Sequence, residues 1–190
     1  MGKGLCGGKL AGGSPARGRV DNDYYATPRI ATQELLKRER FYGNILEPAC
    51  GEGHISQLLL AVCSEEVISF DIVDRGWGEV QDFFDWDIHM DNIVTNPPFK
   101  YFTEFAKHSL NLANRKVCLF GKLQALEGYE RTKFLMDSPL RTVYVFRKRV
   151  NPMRNGKETD ENGKKWASTM AFAWYVWEKG YDGKPMIEWI

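Results

Sequence analysis

The sequence predicts an α/β protein whose mostly parallel sheet has seven strands, an antiparallel strand at one edge and helices on both faces. Two patterns predict this fold class. From residue 28 onward, β-branched apolar runs alternate with segments whose apolar residues recur at helical spacing. The last two apolar runs are instead joined by a polar segment without helical periodicity, which favours an antiparallel pair at the sheet edge.

The first half of the chain supplies two helices and four strands. "TPRIATQELLKRERF" predicts the first helix, with Thr27 as its N-cap and Pro28 at its first position. The apolar face of "GHISQLLLAVC" predicts the second helix. Strands are predicted at "NILEP", "EVISFDIV", just before "DFFDWD" and at "IVTNPPF". Consecutive prolines cannot donate backbone hydrogen bonds, so the fourth strand has to end at Pro97 and Pro98.

The second half supplies two more helices and three strands. The helices are predicted at "YFTEFAKHSLNLA" and "YERTKFLMD", and the strands at "KVCLFG", "RTVYVFRKRV" and "STMAFAWYVWEKG". Ligands of such sheets bind beyond the carboxyl ends of the strands, near the switch in strand order. A functional site is therefore expected in the turns that follow the strands.

Composition predicts an ordinary globular protein. The chain has 190 residues, 43% hydrophobic and 27% charged, with a net charge of +1. We expect a single domain over residues 23–190, preceded by a flexible, Gly-rich basic arm over residues 1–22. No apolar run approaches the roughly 20 residues of a membrane span, so we expect no membrane partner.

The cysteines are scattered without CxxC spacing, at Cys6, Cys50, Cys63 and Cys118. They indicate reduced thiols and a cytoplasmic location rather than a disulfide framework. Cys50 followed by His54 is only a weak zinc signal, and we expect no metal site.

Two segments are candidates for contact with a polynucleotide, since the near-neutral net charge requires any basic surface to be local. The first is the basic connection over residues 147–167, which is long for a link between two strands. Its alternative interpretation is a solvated loop, because Glu158, Asp160 and Glu161 dilute its charge. The second is "GKLQALEGYERTK", residues 121–133, which follows the fifth strand.

The turn after the first strand, "LEPACGEGHIS", indicates a nucleoside cofactor. Gly51 and Gly53 permit a tight turn and a close approach to the backbone. Asp71 ends the second strand, where a carboxylate can accept hydrogen bonds from both hydroxyls of a ribose.

Two cofactor classes compete for this turn. A nicotinamide dinucleotide requires a third glycine where the chain has Ser56, and its pyrophosphate would face the carboxylates of Glu47 and Glu52. S-adenosylmethionine carries an ammonium, a sulfonium and no phosphate, and is therefore favoured by these acids. A purely structural turn with solvated glutamates is the third possibility.

"VQDFFDWD" adds a candidate site for the base of the cofactor. Asp82 can accept a hydrogen bond from an adenine amino group, and Phe83 can cover the ring face. The alternative is an acidic surface loop next to a core phenylalanine.

Taken together, "EPACGEG", "FDIVD", "QDFFDW" and "NPPF" resemble the class I S-adenosylmethionine-dependent methyltransferases, and more narrowly the DNA N6-adenine methyltransferases. "YYATP" resembles the N-terminal cofactor-binding element of that family. The length and the ending "AWYVWEKGYDGKPMIEWI" resemble compact enzymes of phages and prophages.

The resemblance implies a Rossmann-like fold, S-adenosylmethionine as cofactor and methyl transfer to N6 of adenine in DNA, with no obligate protein partner. Asn96 and Pro97 would offer two oxygen acceptors to the amine, which localises its lone pair toward the methyl group, and Phe99 would stack on the flipped base. The cofactor residues implied are Tyr25, Thr27, Glu47, Ala49, Gly51, Asp71, Asp82 and Phe83.

Three alternatives remain open from the sequence. N-P-P-aromatic turns also occur in enzymes that methylate RNA bases or protein glutamine, because all these acceptors are planar amines. A non-catalytic homologue that binds the cofactor or DNA is a further possibility. A nicotinamide-dependent enzyme is the most distant one.

Overall fold

The computed structural model describes residues 24–166 and 169–190 of the chain. The predicted arm over residues 1–22 lies outside this part and stays a prediction. The strands are β1 (Tyr25–Ala26), β2 (Ile45–Glu47), β3 (Val67–Asp71), β4 (Glu79–Val80), β5 (Met90–Thr95), β6 (Ala113–Lys122), β7 (Leu140–Val145), β8 (Met153–Arg154), β9 (Phe172–Glu178) and β10 (Met186–Trp189). The helices are α1 (Arg29–Leu36), α2 (Ser56–Val62), α3 (Phe102–Leu112) and α4 (Tyr129–Asp137).

The main sheet has eight strands in the order β10-β7-β9-β6-β5-β2-β3-β4. All neighbouring pairs are parallel except those of β9, which runs antiparallel to both β6 and β7. The chain builds outward from β2 to β3 and β4, then returns to place β5 on the other side of β2. The strand order therefore switches between β2 and β5, where ligands of such sheets bind.

The predicted fold class is confirmed, with two differences in the sheet. The antiparallel strand β9 is internal rather than at the edge, and β10 adds an eighth strand along β7. The internal position of β9 agrees with its apolar sequence, FAWYVW. Residues 172–177 are all buried, which requires cover on both faces and a neighbouring strand on each side. The residues of β10 are all exposed, and their sequence has no apolar alternation that could predict a strand.

Side chains of β9 divide the core into two layers. Phe172, Trp174 and Val176 pack in a cluster with residues of α1 and α2. The residues at 173, 175 and 177 pack in a second cluster with residues of α3 and α4. This alternation is the two-residue period of a strand, and it places helices on both faces of the sheet as predicted.

Two local predictions were incomplete. The α1 helix is capped by Pro28 without a side-chain hydrogen bond, so the prediction of Thr27 as N-cap was wrong. The segment 147–167, predicted as a loop, contains β8, which pairs antiparallel with β1. None of the helices in the described ranges is long and apolar enough to cross a membrane.

Candidate functional site

A cavity of about 360 Å³ lies at the switch point between β2 and β5. Its walls are the carboxyl ends of three parallel strands with the turns that follow them, namely residues 47–50, 71–73 and 96–98. Residues 24–27, which include β1, close one side, and residues 82–84 close another. The cavity therefore lies where the sequence pattern predicts a ligand.

Asp71 is held in place by the backbone around it. Its Oδ2 accepts a hydrogen bond from the Gly51 N–H at 2.9 Å, and its Oδ1 accepts one from the Val73 N–H at 3.0 Å. Both oxygens retain a further lone pair, and the side chain lines the cavity. The carboxylate is thus pre-oriented to accept hydrogen bonds from ligand hydroxyls.

Gly51 packs against the Tyr24 ring, which forms part of the cavity wall. Its φ is +55°, and a Cβ atom there would lie 2.4 Å from Cε2 of the Tyr24 ring. Gly51 does not belong to the described cavity lining, whereas Tyr24 does. The close approach predicted for a ligand is therefore made by an aromatic ring, whose hydroxyl also accepts a hydrogen bond from the Glu52 N–H at 3.1 Å.

Glu47 is a buried carboxyl group in the cavity floor. Its side chain is 1% exposed and accepts a hydrogen bond from the Ser56 hydroxyl. Burial raises the pKa of Glu47 well above its ordinary range. Hydrogen bonds with Ser56 lower this pKa, and the negative charge of Asp71 raises it by a smaller amount. A cation in the cavity would stabilise the ionised form of this group.

Glu52 does not contribute to the cavity, contrary to the sequence argument. It is exposed, and its carboxylate lies against Gly156, where a Cβ atom would be 2.2 Å from Oε2. The lining nevertheless contains more acids than bases, because Glu47, Asp71 and Asp82 face one arginine, Arg75. The cavity therefore suits a ligand with positive charge.

Asp82 and Phe83 both line the cavity, as does Ala49. One oxygen of Asp82 accepts the Phe84 N–H at 2.9 Å and so caps the short turn Phe83–Asp85. The Phe83 ring is 2% exposed and packs 4.9 Å from the Phe105 ring. The more exposed Phe84 also lines the cavity, so two aromatic residues are available there.

Asn96 has an amide whose two ends have different environments. Its Nδ2 donates to the carbonyl oxygen of Tyr25 at 2.6 Å. Its Oδ1 is buried and has no hydrogen-bond partner among the described residues. Asn96, Pro97 and Asp71 line the same cavity, so the residue that carries this unpartnered oxygen borders the site.

The carbonyl group of Pro97 is the second acceptor that the sequence predicts. The Tyr101 N–H donates to Pro98 O at 2.9 Å, and Pro97 O receives no hydrogen bond within residues 24–166 and 169–190. Thr27 is 2% exposed, and its hydroxyl in the cavity wall also has no partner in this part of the chain.

Phe99 lies outside the main cavity. Its ring stacks on Tyr25 with centroids 5.7 Å apart, and it forms part of the wall of a second cavity of about 220 Å³. The structure thus brings together all the predicted site residues except Gly51 and Phe99 around the first cavity. The stacking role of Phe99 stays a prediction.

Sequence reasoning missed several polar residues of the cavity, among them Tyr24, His54 and Arg75. The Arg75 guanidinium lies 4.0 Å from the Tyr24 ring centroid, and its buried Nε has no partner in the described chain. Tyr24 could have been suspected because it belongs to "YYATP", and His54 because it directly follows "EPACGEG". Arg75 had no sequence signal beyond following Asp71.

The Cys50–His54 pair gives no support for a metal site. The Cys50 thiol donates to Trp77 O at 3.3 Å, and burial raises its pKa to about 12. No group of three potential ligands is assembled anywhere in the described ranges.

Comparison with known proteins identifies the fold. No protein-family model matches the chain, and no curated protein matches it. Among solved structures, the chain is similar to an assigned RNA methyltransferase of Pyrococcus horikoshii, with 16% identity and a TM-score of 0.61 over 82% of this chain and 87% of that one.

Two further likenesses are informative. The M protein of the type I restriction enzyme EcoKI is 16% identical with a TM-score of 0.54, over 84% of this chain and 45% of that one, so the chain spans under half of that protein. Magnesium protoporphyrin IX methyltransferase of Synechocystis, solved with bound S-adenosylmethionine, is 12% identical with a TM-score of 0.50, over 80% of this chain and 79% of that one.

The chain therefore has the Rossmann-like fold of S-adenosylmethionine-dependent methyltransferases. By their names, one of these similar structures is an RNA methyltransferase and another is part of a restriction enzyme.

Proposed function

We propose that the first cavity binds S-adenosylmethionine. The excess of acids favours its sulfonium and ammonium groups, and Asp71 is positioned to accept hydrogen bonds from the ribose hydroxyls. Asp82 and Phe83 would hold the adenine, while Tyr25, Thr27, Glu47 and Ala49 complete the wall around the rest of the cofactor. The similar fold of a methyltransferase solved with this cofactor supports the assignment.

The reaction proposed is methyl transfer to a planar amine. One observation carries it, namely the buried, unpartnered Oδ1 of Asn96, a residue that lines the same cavity as Asp71. That oxygen and Pro97 O would accept the two N–H groups of the amine, so its lone pair is directed at the methyl group that the cofactor supplies. The two prolines fix the backbone beforehand, so little ordering is required during the reaction.

The acceptor proposed is N6 of adenine in DNA, with the base rotated out of the helix. The similarity to the EcoKI M protein supports DNA, whereas the N-P-P-F turn supports a planar amine without selecting among the polymers. RNA is the second candidate, because the chain is also similar to an assigned RNA methyltransferase. Modification of phage DNA in a bacterial cytoplasm is the biological role that the sequence resemblance implies.

The test is incubation of the protein with S-adenosylmethionine labelled in the methyl group and with DNA, RNA or protein, followed by analysis of nucleosides and amino acids. We expect labelled N6-methyladenine from DNA. Label found only in RNA would refute the DNA assignment, and label in no polymer would refute methyl transfer.

The matched variants are Asn96→Ala and Asn111→Ala, an exposed asparagine of α3. Removing one preorganised hydrogen-bonding group lowers kcat by about 10²–10³-fold, so Asn96→Ala should lose that much while Asn111→Ala keeps wild-type activity. Calorimetry should show similar cofactor affinity for both. An active Asn96→Ala protein would contradict the role of the amide oxygen.

A further inference from the structure

The second cavity, on the Phe99 side of the Asn-Pro-Pro-Phe turn, has a different chemical character from the first. Its lining residues are Phe99, Lys100, Phe102, Thr103, Lys122, Gln124, Ala125 and Arg131. Within the described chain, this lining includes three cations and no carboxylate. The lining also offers the amide of Gln124 and the hydroxyl of Thr103.

The three cations face this cavity without a counter-charge from the described residues. None of them forms an ion pair with an acid in this part of the chain. The Lys122 ammonium lies 4.7 Å from the Phe99 ring centroid, and the Arg131 Nε donates to Glu127 O at 2.6 Å, which orients its guanidinium. Like charges gathered in one cavity repel each other unless an anion joins them.

The position of the second cavity relates it to the acceptor site. Asn96 and Pro97 line the first cavity, whereas Phe99 and Lys100 line the second. Phe99 is three positions beyond Asn96 in the chain, a Cα–Cα distance of at most about 11 Å. An anion in the second cavity would therefore be close to an amine held by Asn96.

We propose that the second cavity binds a backbone phosphate of the polynucleotide next to the target base, through Lys122 and Arg131 with Lys100 at the rim. The proposal rests on the proposed function and narrows it, since a phosphate subsite beside the acceptor oxygens selects a nucleic acid over a protein glutamine. Arginine and lysine are the side chains that usually contact phosphate oxygens.

The basic segment 147–166 is a weaker candidate for this subsite. Its charge is diluted by Glu158, Asp160 and Glu161, and part of it is engaged in pairing with β1. The variant Lys148→Gln distinguishes this segment from the second cavity in the same experiment.

The experiment measures the binding of labelled single-stranded and duplex oligonucleotides of mixed sequence by fluorescence anisotropy, between about 50 and 200 mM salt. The variant is Lys122→Gln/Arg131→Gln. We expect its affinity to fall about tenfold at the lowest salt. Its slope of log K against log salt should become shallower by about 0.7–0.9 for each phosphate that the protein no longer neutralises.

The control is Lys107→Gln/Lys133→Gln, which removes the same charge from exposed positions of α3 and α4 outside the cavity. Lys133 is two residues beyond Arg131 on α4 and thus faces away from it. The control should retain wild-type affinity and slope. Calorimetry with S-adenosylmethionine should show unchanged cofactor affinity in both double variants.

Equal oligonucleotide binding by the Lys122/Arg131 variant and the control would overturn the proposal, as would a loss confined to Lys148→Gln. Loss of cofactor binding together with oligonucleotide binding would also overturn it, because the effect would then come from the fold. The proposed function fails separately, if the wild-type protein binds oligonucleotides with the predicted salt slope but transfers no label.

Discussion

The Asn96 amide has its nitrogen committed to Tyr25 O and its oxygen left without a partner in the described chain. The sequence predicted Asn96 as an acceptor from its place before two prolines. The bond that fixes the orientation of the amide joins residues 71 positions apart, so only the folded chain reveals which end is left unpartnered.

Gly51→Ala should weaken cofactor binding. The left-handed φ costs a side chain about 1–2 kcal/mol, and the new Cβ, 2.4 Å from the Tyr24 ring, would displace a residue of the cavity wall. Gly76→Ala is the matched control, because its φ is +81° but nothing lies within 4 Å of its Cβ. Urea unfolding should show both variants destabilised, and calorimetry should show reduced cofactor affinity for Gly51→Ala alone. Equal affinities would mean that Tyr24 does not shape the site.

Glu47→Gln should change how stability depends on pH. Burial raises the pKa of Glu47 from 4.5, so the folded protein binds this proton more tightly than the unfolded chain. The wild-type protein therefore loses stability as pH rises above 4.5, by about 1.4 kcal/mol per pH unit until the folded-state pKa is passed.

Glu47→Gln has no titrating carboxyl group at this position, so it does not lose stability in this way as pH rises. The variant should be more stable than the wild type at neutral pH, and the difference should vanish toward pH 4.5. Urea midpoints across this range measure it. Glu52→Gln, an exposed acid of the same turn, is the control and should follow the wild-type curve. Parallel curves for Glu47→Gln and wild type would refute the argument.

Among the secondary-structure elements, the segment after α1 is joined to β6 and β7 by one buried acid. Glu39 is 2% exposed and accepts hydrogen bonds from Lys116 Nζ at 2.7 Å, from the Tyr144 hydroxyl at 2.7 Å and from the Arg141 guanidinium. No local sequence pattern indicates this network, because the partners of Glu39 are 77 to 105 residues away from it.

Glu39→Ala should lower the free energy of unfolding by about 3 kcal/mol, since it leaves two cations and a hydroxyl without their buried partner. Glu34→Ala removes an acid of α1 that pairs only with Lys37 and Arg38 among the described residues, and should cost less than about 1 kcal/mol. Denaturant unfolding followed by circular dichroism compares the two. Similar losses would show that the network contributes no more than a surface pair.

For the molecule as a whole, cofactor binding should raise the melting temperature. At 100 times its Kd a ligand stabilises the folded state by about 2.7 kcal/mol, which for a chain of this size corresponds to about 5–10 °C. Differential scanning fluorimetry with S-adenosylmethionine should show this shift, and NAD should not produce it.

The shift should be smaller in Asp71→Asn, because an amide offers one oxygen where the carboxylate accepts from both Gly51 and Val73. A shift with NAD equal to that with S-adenosylmethionine would contradict the assignment of the cofactor.

Local patterns in the sequence were sufficient to predict the alternation of strands and helices, and the carboxyl ends of β2, β3 and β5 where Glu47, Asp71 and Asn96 lie. These follow from apolar periodicity, the missing N–H of proline and the freedom of glycine. The folded chain was needed to show that β9 lies between β6 and β7, that β10 adds an edge strand, and that Arg75 enters the cavity while Phe99 and Gly51 do not. The reason is that strand order and side-chain orientation depend on packing between segments far apart in the chain, which a local pattern does not encode.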